Sequence, residues 1–209
     1  MKILITGTTG YIAKRLALQL LEDNHELVCC VRDMSRIPDE IEEHPRCTFI
    51  KIDFLKPKLA SIPKDIDAAY YLIHSMATSS SNFETLEEDC AANFKALVSK
   101  TQCQHVIYLS GIVNDKSLSK HLKSRLQVEH TLKSEAYALT TFRAGIIVGS
   151  GSASFEIIRD IVEKLPIMVT PRWLNTKTQP LGIRDVLTYL CGALYKEELY
   201  NKAFDIFGP

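Results

Sequence analysis

The chain is short of what marks several large protein classes. It has no apolar run of transmembrane length. Its first ten residues, MKILITGTTG, carry one cation and a short apolar stretch that breaks into turn residues, which is not the pattern of a secretory leader. Neither sign of charge is in excess, since 25 Lys and Arg face 25 Asp and Glu. That balance removes any global pull toward nucleic acid or an anionic membrane. The six cysteines (Cys29, Cys30, Cys47, Cys90, Cys103, Cys191) form no C-x-x-C pair and no zinc-ligand spacing, so no metal site is expected. Without an export signal they read as reduced thiols, mostly small core residues, in a cytoplasmic protein. Repeats, low-complexity tracts and linkers are also missing, which predicts one domain over residues 1–209.

What is present is a sizeable apolar fraction, 46%, arranged as short apolar runs alternating with longer helical stretches. Such alternation predicts an α/β fold, a doubly wound parallel sheet with helices on both faces. Strands are expected at Lys2–Thr6, Glu26–Val31, Cys47–Ile52, Ala68–Ile73, His105–Leu109, Thr140–Ala144 and 203–207. Each is rich in branched or aromatic residues, as strands buried on both faces require. Ile12, Leu16 and Leu20 repeat at helical spacing after Gly10. Ser81 and Glu84 have capping-box spacing, and Phe83, Leu86, Cys90, Phe94, Leu97 and Thr101 then share a helical face. Further helices are expected over 118–136, with Leu118, Leu122, Leu126 and Leu132 inward, over Ala153–Leu165 and over 184–196.

The sharpest local signal is Thr6-Gly7-Thr8-Thr9-Gly10-Tyr11-Ile12-Ala13, a strand-turn-helix junction. Gly7 lets the backbone leave the strand abruptly, Gly10 leaves room for a diphosphate, and Ala13 lets the helix pack close to the sheet. Unpaired amides and the dipole at a helix start favour an anion. The junction therefore reads as the dinucleotide turn of a Rossmann fold, against the plainer reading of a tight turn with no ligand.

Cofactor choice is written at the end of the second strand, Val31-Arg32-Asp33. Arg32 can grip a ribose 2′-phosphate, with Lys14 or Arg15 in support, whereas Asp33 can meet a 2′-hydroxyl. This favours NADP(H), with NAD(H) as the alternative; the two residues can also be a solvated surface pair. Asp53 and Phe54, after the third strand, fall where the adenine sits, with Asp53 also readable as an acid that starts a loop; Leu72-Ile73-His74-Ser75 falls beneath the cofactor, where His74 reaches the ligand or bonds the backbone.

These segments together resemble the atypical short-chain dehydrogenases/reductases, near the NmrA-like and extended branches. TGTTGYIAKRL, CVRD, IDFLKP, the Asn93 helix, VIYLSG, TFRAGIIVGSG, IRDV and FDIFGP occur in that family's order along essentially the whole chain. AYYLIHSM, HLKSRLQVE, RAGIIVGSGSASFEIIR, LPIMVTPRW and TKTQPLGIRDV are similar to a bacterial subgroup whose members carry a C-terminal domain of unknown function, DUF2867. That domain is absent here, so the resemblance implies a chain cut before it or a short member. It also implies a cofactor site at Gly7, Thr9, Gly10, Tyr11, Ile12, Arg32, Asp53, Phe54, Leu72, His74 and Ser110.

The family's catalytic set is a Ser and a Tyr four residues before a Lys. Ser110 matches the Ser; the Tyr and Lys positions read His121 and Arg125. At i, i+4 these two share a helical face. Arg125 can hold the cofactor ribose and stays charged, and His121 can exchange a proton near neutral pH. A permanent cation nearby disfavours protonated His, which weakens His121 as a proton donor. Met168 to Pro180, with Pro171, Arg172 and Trp173 and help from Arg143 and Arg184, reads as the substrate side, suited to an acidic or quinone-like molecule, or as plain loop packing. The expectation is an NADP(H)-dependent oxidoreductase or epimerase-like enzyme on a small molecule; the alternative is a non-catalytic NADP(H) sensor. No nucleic acid or membrane is expected as a direct partner, and the assembly is expected to be a monomer or homodimer.

Overall fold

The computed structural model describes residues 1–57, 61–73, 83–112, 120–164 and 179–208, with backbone alone for 83, 120, 121, 153 and 154. The elements are β1 (Lys2–Thr6), α1 (Tyr11–Glu22), β2 (Glu26–Val31), α2 (Asp39–Glu42), β3 (Cys47–Lys51), β4 (Ala68–Tyr71), α3 (Phe83–Val98) and β5 (His105–Gly111). They continue as α4 (Lys120–Leu132), β6 (Ala138–Ala144), β7 (Ile147–Val148), α5 (Ala153–Lys164), β8 (Leu181–Gly182), α6 (Ile183–Gly192) and β9 (Ala203–Ile206). Seven strands form one parallel sheet in the order β3-β2-β1-β4-β5-β6-β9.

That order has a functional consequence. The chain builds outward from β1 to β3, crosses back to β4, and then builds in the other direction. Loops leaving β1 and β4 must therefore diverge above the sheet, and the crevice between them is where α/β folds take ligands.

Strand periodicity sorts the core into two layers. Ile3, Ile5, Leu27, Cys29 and Val31 pack with Leu16 and Leu20 of α1 and Val186 and Leu190 of α6. Leu4, Val28, Cys30, Tyr71 and Tyr108 face the other way, onto Ala91, Phe94 and Val98 of α3 and Val128 and Leu132 of α4. Each fully buried aliphatic side chain contributes about 1.5–3 kcal/mol, so these layers dominate stability. Tyr71 meets Phe94 edge-on at 4.9 Å and Tyr108 at 5.7 Å, a geometry that adds to area burial. Tyr70, on the opposite face, donates its hydroxyl to the Leu190 carbonyl at 2.8 Å and so ties β4 to α6.

Several boundaries differ from the sequence expectation. β4 stops at Tyr71, not Ile73, because the Leu72 N–H leaves the ladder for the Thr6 hydroxyl at 2.9 Å. β5 extends to Gly111 and β6 begins at Ala138, since the two strands pair along their whole lengths. The buried face of α4 is Ser124, Val128, Glu129 and Leu132, whereas Leu122 and Leu126 are only half-buried. In α3 the buried stripe is Glu87, Ala91, Phe94 and Val98, one step from the expected face. In both helices buried polar residues occupy positions where periodicity sought apolar ones. Helix α6 ends at Gly192 and β9 at Ile206, both earlier than expected. Ser81, Leu118 and most of the segment 168–180 lie outside the described residues.

All six cysteines are free. Among the described residues no helix is long and apolar enough to cross a membrane.

Candidate functional site

The turn after β1 is held by main-chain constraints. Gly7 has φ +68°, and a Cβ there would lie 2.7 Å from the Leu72 carbonyl oxygen, so both conformation and space require glycine. The Thr6 hydroxyl donates to Tyr70 O at 3.2 Å and accepts the Leu72 N–H, which joins β1 to β4 directly beneath the turn. Gly10 N–H donates to Gly7 O at 2.8 Å, and Thr8 is fully buried with its hydroxyl on Ile5 O at 3.2 Å. Gly10 caps α1 without a side-chain hydrogen bond, and no acidic residue stands in the first turn. The amides of Tyr11, Ile12 and Ala13 thus open on an exposed Thr9-Gly10 rim with no built-in anion, which fits a bound diphosphate.

The rest of the edge follows strand by strand. Arg32 follows β2, is exposed and makes no ion pair among the described residues. Asp33 is engaged locally, accepting the Ser35 N–H at 3.1 Å and the Ser35 hydroxyl at 2.8 Å; that hydrogen bonding holds its carboxyl below the usual range. Lys14 pairs with Glu40 at 2.7 Å. The Arg15 guanidinium stacks 3.9 Å above the Tyr11 ring and donates to Ser150 O at 3.0 Å. The two supporting cations expected from the sequence are therefore already committed, so that of the three only Arg32 is without an ion pair or hydrogen bond among the described residues. Tyr11 itself turns its ring to the 149–151 turn, where a Cβ on Gly149 would fall 2.5 Å from its hydroxyl.

After β3, Asp53 is exposed and accepts the Leu55 N–H at 3.0 Å. Phe54 is buried, 5.8 Å from Phe94, so its side chain belongs to the core and only its main chain reaches the edge. Asn93 of α3 donates to Phe54 O at 2.8 Å and fixes that loop. Leu72 is likewise buried and contributes its carbonyl and N–H. Ser110 lies near the end of β5, 5% exposed, with a buried hydroxyl that meets no hydrogen-bond partner at bonding geometry among the described residues. A buried hydroxyl in that state, at a crevice edge, suits a ligand oxygen. Arg125 of α4 borders a small cavity with Tyr71, Ile73 and Tyr108, at the same end of β4 and β5. His74 and the His121 side chain lie outside the described residues; the backbone puts His121 one turn before Arg125 on α4.

Of two residues given a substrate role from sequence, one is committed to partners within the fold. Arg143 is bidentate to Glu129, at 3.0 and 2.8 Å, with Asp205 3.9 Å beyond, and that pairing occupies it. Arg184 is exposed in the first turn of α6. Sequence reasoning missed Glu87 and Ser124, both buried, with the Ser124 hydroxyl donating to Glu87 Oε2 at 2.5 Å. The signal was available: Glu87 stands at i, i+4, i+7 and i+11 with Ala91, Phe94 and Val98.

A parallel switch-point sheet with a glycine cradle and an uncapped helix start defines a dinucleotide-binding domain. The chain belongs to the NAD(P)H-binding family, which it matches over residues 7–150. Among curated proteins it is similar to the chloroplastic divinyl chlorophyllide a 8-vinyl-reductase of Zea mays, at 22% identity over 99% of this chain and 55% of that one. It is also similar to the photosystem II assembly factor Ycf39 of Trieres chinensis, at 24% identity over 100% of this chain and 64% of that one. The chain thus spans little more than half the length of these relatives. Among solved structures, UDP-glucuronic acid 4-epimerase from Bacillus cereus, in complex with NAD, superposes with a TM-score of 0.80 at 21% identity, covering 100% of this chain and 78% of that one. Gre2 from Candida albicans, in complex with NADPH, gives 0.77 at 14% identity, covering 99% and 78%. Proteins of this fold therefore carry either dinucleotide.

Proposed function

We propose that this protein is an NADP(H)-dependent oxidoreductase of the atypical short-chain type, acting on a small molecule, with residues 1–209 working as one nucleotide-binding unit. The observation that carries the cofactor assignment is the contrast at the end of β2: Arg32 is exposed and without an ion pair among the described residues, while Asp33 is tied to Ser35. A free guanidinium recognises a phosphate bidentately, whereas a carboxylate locked in its own turn is poorly placed for a ribose hydroxyl.

In this reading Gly7, Thr9, Gly10, Tyr11 and Ile12 supply backbone to the diphosphate. Asp53 would meet the adenine, the main chain of Phe54 and Leu72 would close the floor, and His74, three residues after Tyr71 in the sequence, is kept as a cofactor residue. Bound NADPH supplies hydride. Ser110 offers its buried hydroxyl to the substrate oxygen, Arg125 holds the nicotinamide-side ribose, and His121 exchanges the proton. Reductase chemistry is in keeping with the activity for which the maize relative is named.

A second reading, a dinucleotide sensor without turnover, rests on His121 and Arg125 standing where the family has Tyr and Lys. One experiment addresses both. NADPH and NADH affinities are measured by calorimetry on the wild type and Arg32→Ala, and NADPH oxidation is followed against a panel of quinones and aldehydes on the wild type and His121→Ala. Tighter NADPH binding that Arg32→Ala erases supports the cofactor assignment, and equal affinities in the wild type overturn it. Turnover lost in His121→Ala supports the enzyme; NADPH binding with no turnover on any acceptor favours the sensor.

A further inference from the structure

The start of α1 is held from a second side, by a segment far along the chain. The 149–151 turn, which joins β7 to α5, lies against the first turn of α1, and the Arg15 side chain makes the junction. Its guanidinium stacks 3.9 Å above the Tyr11 ring and donates to Tyr11 O at 3.2 Å. Its other terminal nitrogen donates to Ser150 O at 3.0 Å, 135 residues away. A planar fork can face a ring and donate in two directions at once, which an ammonium cannot.

The turn is shaped to fit there. A Cβ on Gly149 would fall 2.5 Å from the Tyr11 hydroxyl oxygen and 2.6 Å from Ile183 Cγ2, so Gly149 is wedged between the first residue of α1 and the first residue of α6. Gly151 has φ +78°, a conformation that favours glycine. The turn is also braced on its far side. The Ser152 hydroxyl donates to Ile147 O at 3.3 Å and accepts the Phe155 N–H at 3.2 Å, and the Gly151 N–H donates to the Glu156 carboxylate at 3.0 Å. Arg15 therefore bonds to a fixed point.

What it holds is the part of α1 that most needs holding. The first amides of a helix have no partner within it, and helix ends fray. Gly10 gives α1 no side-chain cap, and the buried stripe of the helix begins only at Ala13. The buried Tyr11 hydroxyl meets no hydrogen-bond partner at bonding geometry among the described residues, so the ring is kept in place by its contacts with Arg15 and the turn. We infer that Arg15 is a positioning residue for the dinucleotide: by tying Tyr11 to the 149–151 turn it fixes the direction of the amides at the start of α1. The turn is then a second support of the cradle, besides the Leu72 main chain under Gly7. This rests on the reading that the amides of Tyr11, Ile12 and Ala13 hold the diphosphate.

The test measures NADPH and NADH affinity by calorimetry on the full chain, with thermal midpoints in parallel. The variants are Arg15→Ala, Arg15→Lys, Gly149→Ala and Arg15→Ala/Gly149→Ala. Arg15→Ala is expected to weaken both nucleotides by the same factor, about tenfold. Arg15→Lys keeps the charge but loses the fork, and is expected to bind as weakly as Arg15→Ala. Gly149→Ala displaces the turn, so it should weaken binding by itself and leave Arg15→Ala little further effect. Unchanged affinities with a lowered midpoint in Arg15→Ala would make Arg15 a structural staple and end the inference, while the cofactor reading stands. Weakening of NADPH alone, wild-type affinity in Arg15→Lys, or an Arg15→Ala effect undiminished by Gly149→Ala would each mark a direct contact with the nucleotide and also overturn it. If the wild type binds neither nucleotide, the cradle reading falls first and the positioning role with it.

Discussion

The two halves of the sheet are built by different means. On the β3-β2-β1-β4 side the buried polar side chains in the strands and first turn are Thr6 and Thr8, both bonded to main chain, and the cradle at Gly7 is shaped by main chain. On the β5-β6-β9 side, buried polar side chains are frequent: His105, Ser110, Thr140 and Thr141 in the strands, and Glu87, Ser124 and Glu129 on the helices above. A diphosphate asks only for amides and room, which any compatible sequence supplies through glycine and a helix start. Orienting a substrate oxygen or a ribose needs side chains, and side chains held in a dry interior need partners of their own. The polar half is thus where reaction chemistry is expected and the apolar half is where the nucleotide is anchored.

The largest effect should follow from spoiling the anchor. Gly7→Ala places a Cβ against Leu72 O in a left-handed conformation, so it is expected to cost about 3 kcal/mol of stability and to remove measurable NADPH binding. Chemical denaturation and calorimetry check both, and a variant that binds like the wild type breaks the picture of a main-chain cradle.

Acid should strike the polar half. His105 is fully buried, and its Nε2 lies 2.8 Å from the Thr140 hydroxyl oxygen, which gives its own hydrogen to Leu199 O at 2.9 Å. Nε2 therefore carries the hydrogen, and Nδ1 has no acceptor for a second one among the described residues. Burial pushes the pKa down to about 4 from the ordinary 6.5. Below pH 6.5 the unfolded chain takes up a proton that the folded chain refuses until pH 4. Stability should therefore fall with pH across that window, by about 3 kcal/mol in all. Unfolding midpoints from pH 7.5 to 4.5 test this, and a His105→Asn variant with an equally steep decline would trace it to other groups.

Next comes the Arg143–Glu129 pair. Glu129→Gln is expected to cost about 2 kcal/mol, less than a fully dry pair because Arg143 keeps some exposure, with no loss of NADPH affinity. A large affinity loss would restore Arg143 to the site. The smallest effect is on cofactor preference: Arg32→Ala should lower the NADPH-to-NADH affinity ratio about tenfold and change stability by less than about 0.5 kcal/mol.

The legibility of the sequence follows the same division. The glycine turn and the strand cores were readable because their constraints are local: Gly7 at a strand end, alternation in Ile3-Leu4-Ile5, Leu16 and Leu20 one turn apart. The buried faces of α3 and α4 were misplaced because hydrophobic periodicity treats Glu87, Ser124 and Glu129 as solvent-facing, although each is inside with a partner from another element. Lys14 and Arg15 looked available beside Arg32, yet Glu40 and Ser150 hold them. The β7–β8 pair was invisible because two-residue strands have no period to detect.

By itself, then, the sequence determined the alternating α/β plan and the glycine cradle, since these depend on backbone freedom and on apolar spacing within a few residues. Only the tertiary structure decided which charges are spent and which remain for a ligand. An ion pair or a buried hydrogen bond joins residues far apart in the chain, as Arg143 to Glu129 or Ser124 to Glu87, and its energy exists only once folding has removed the water between them.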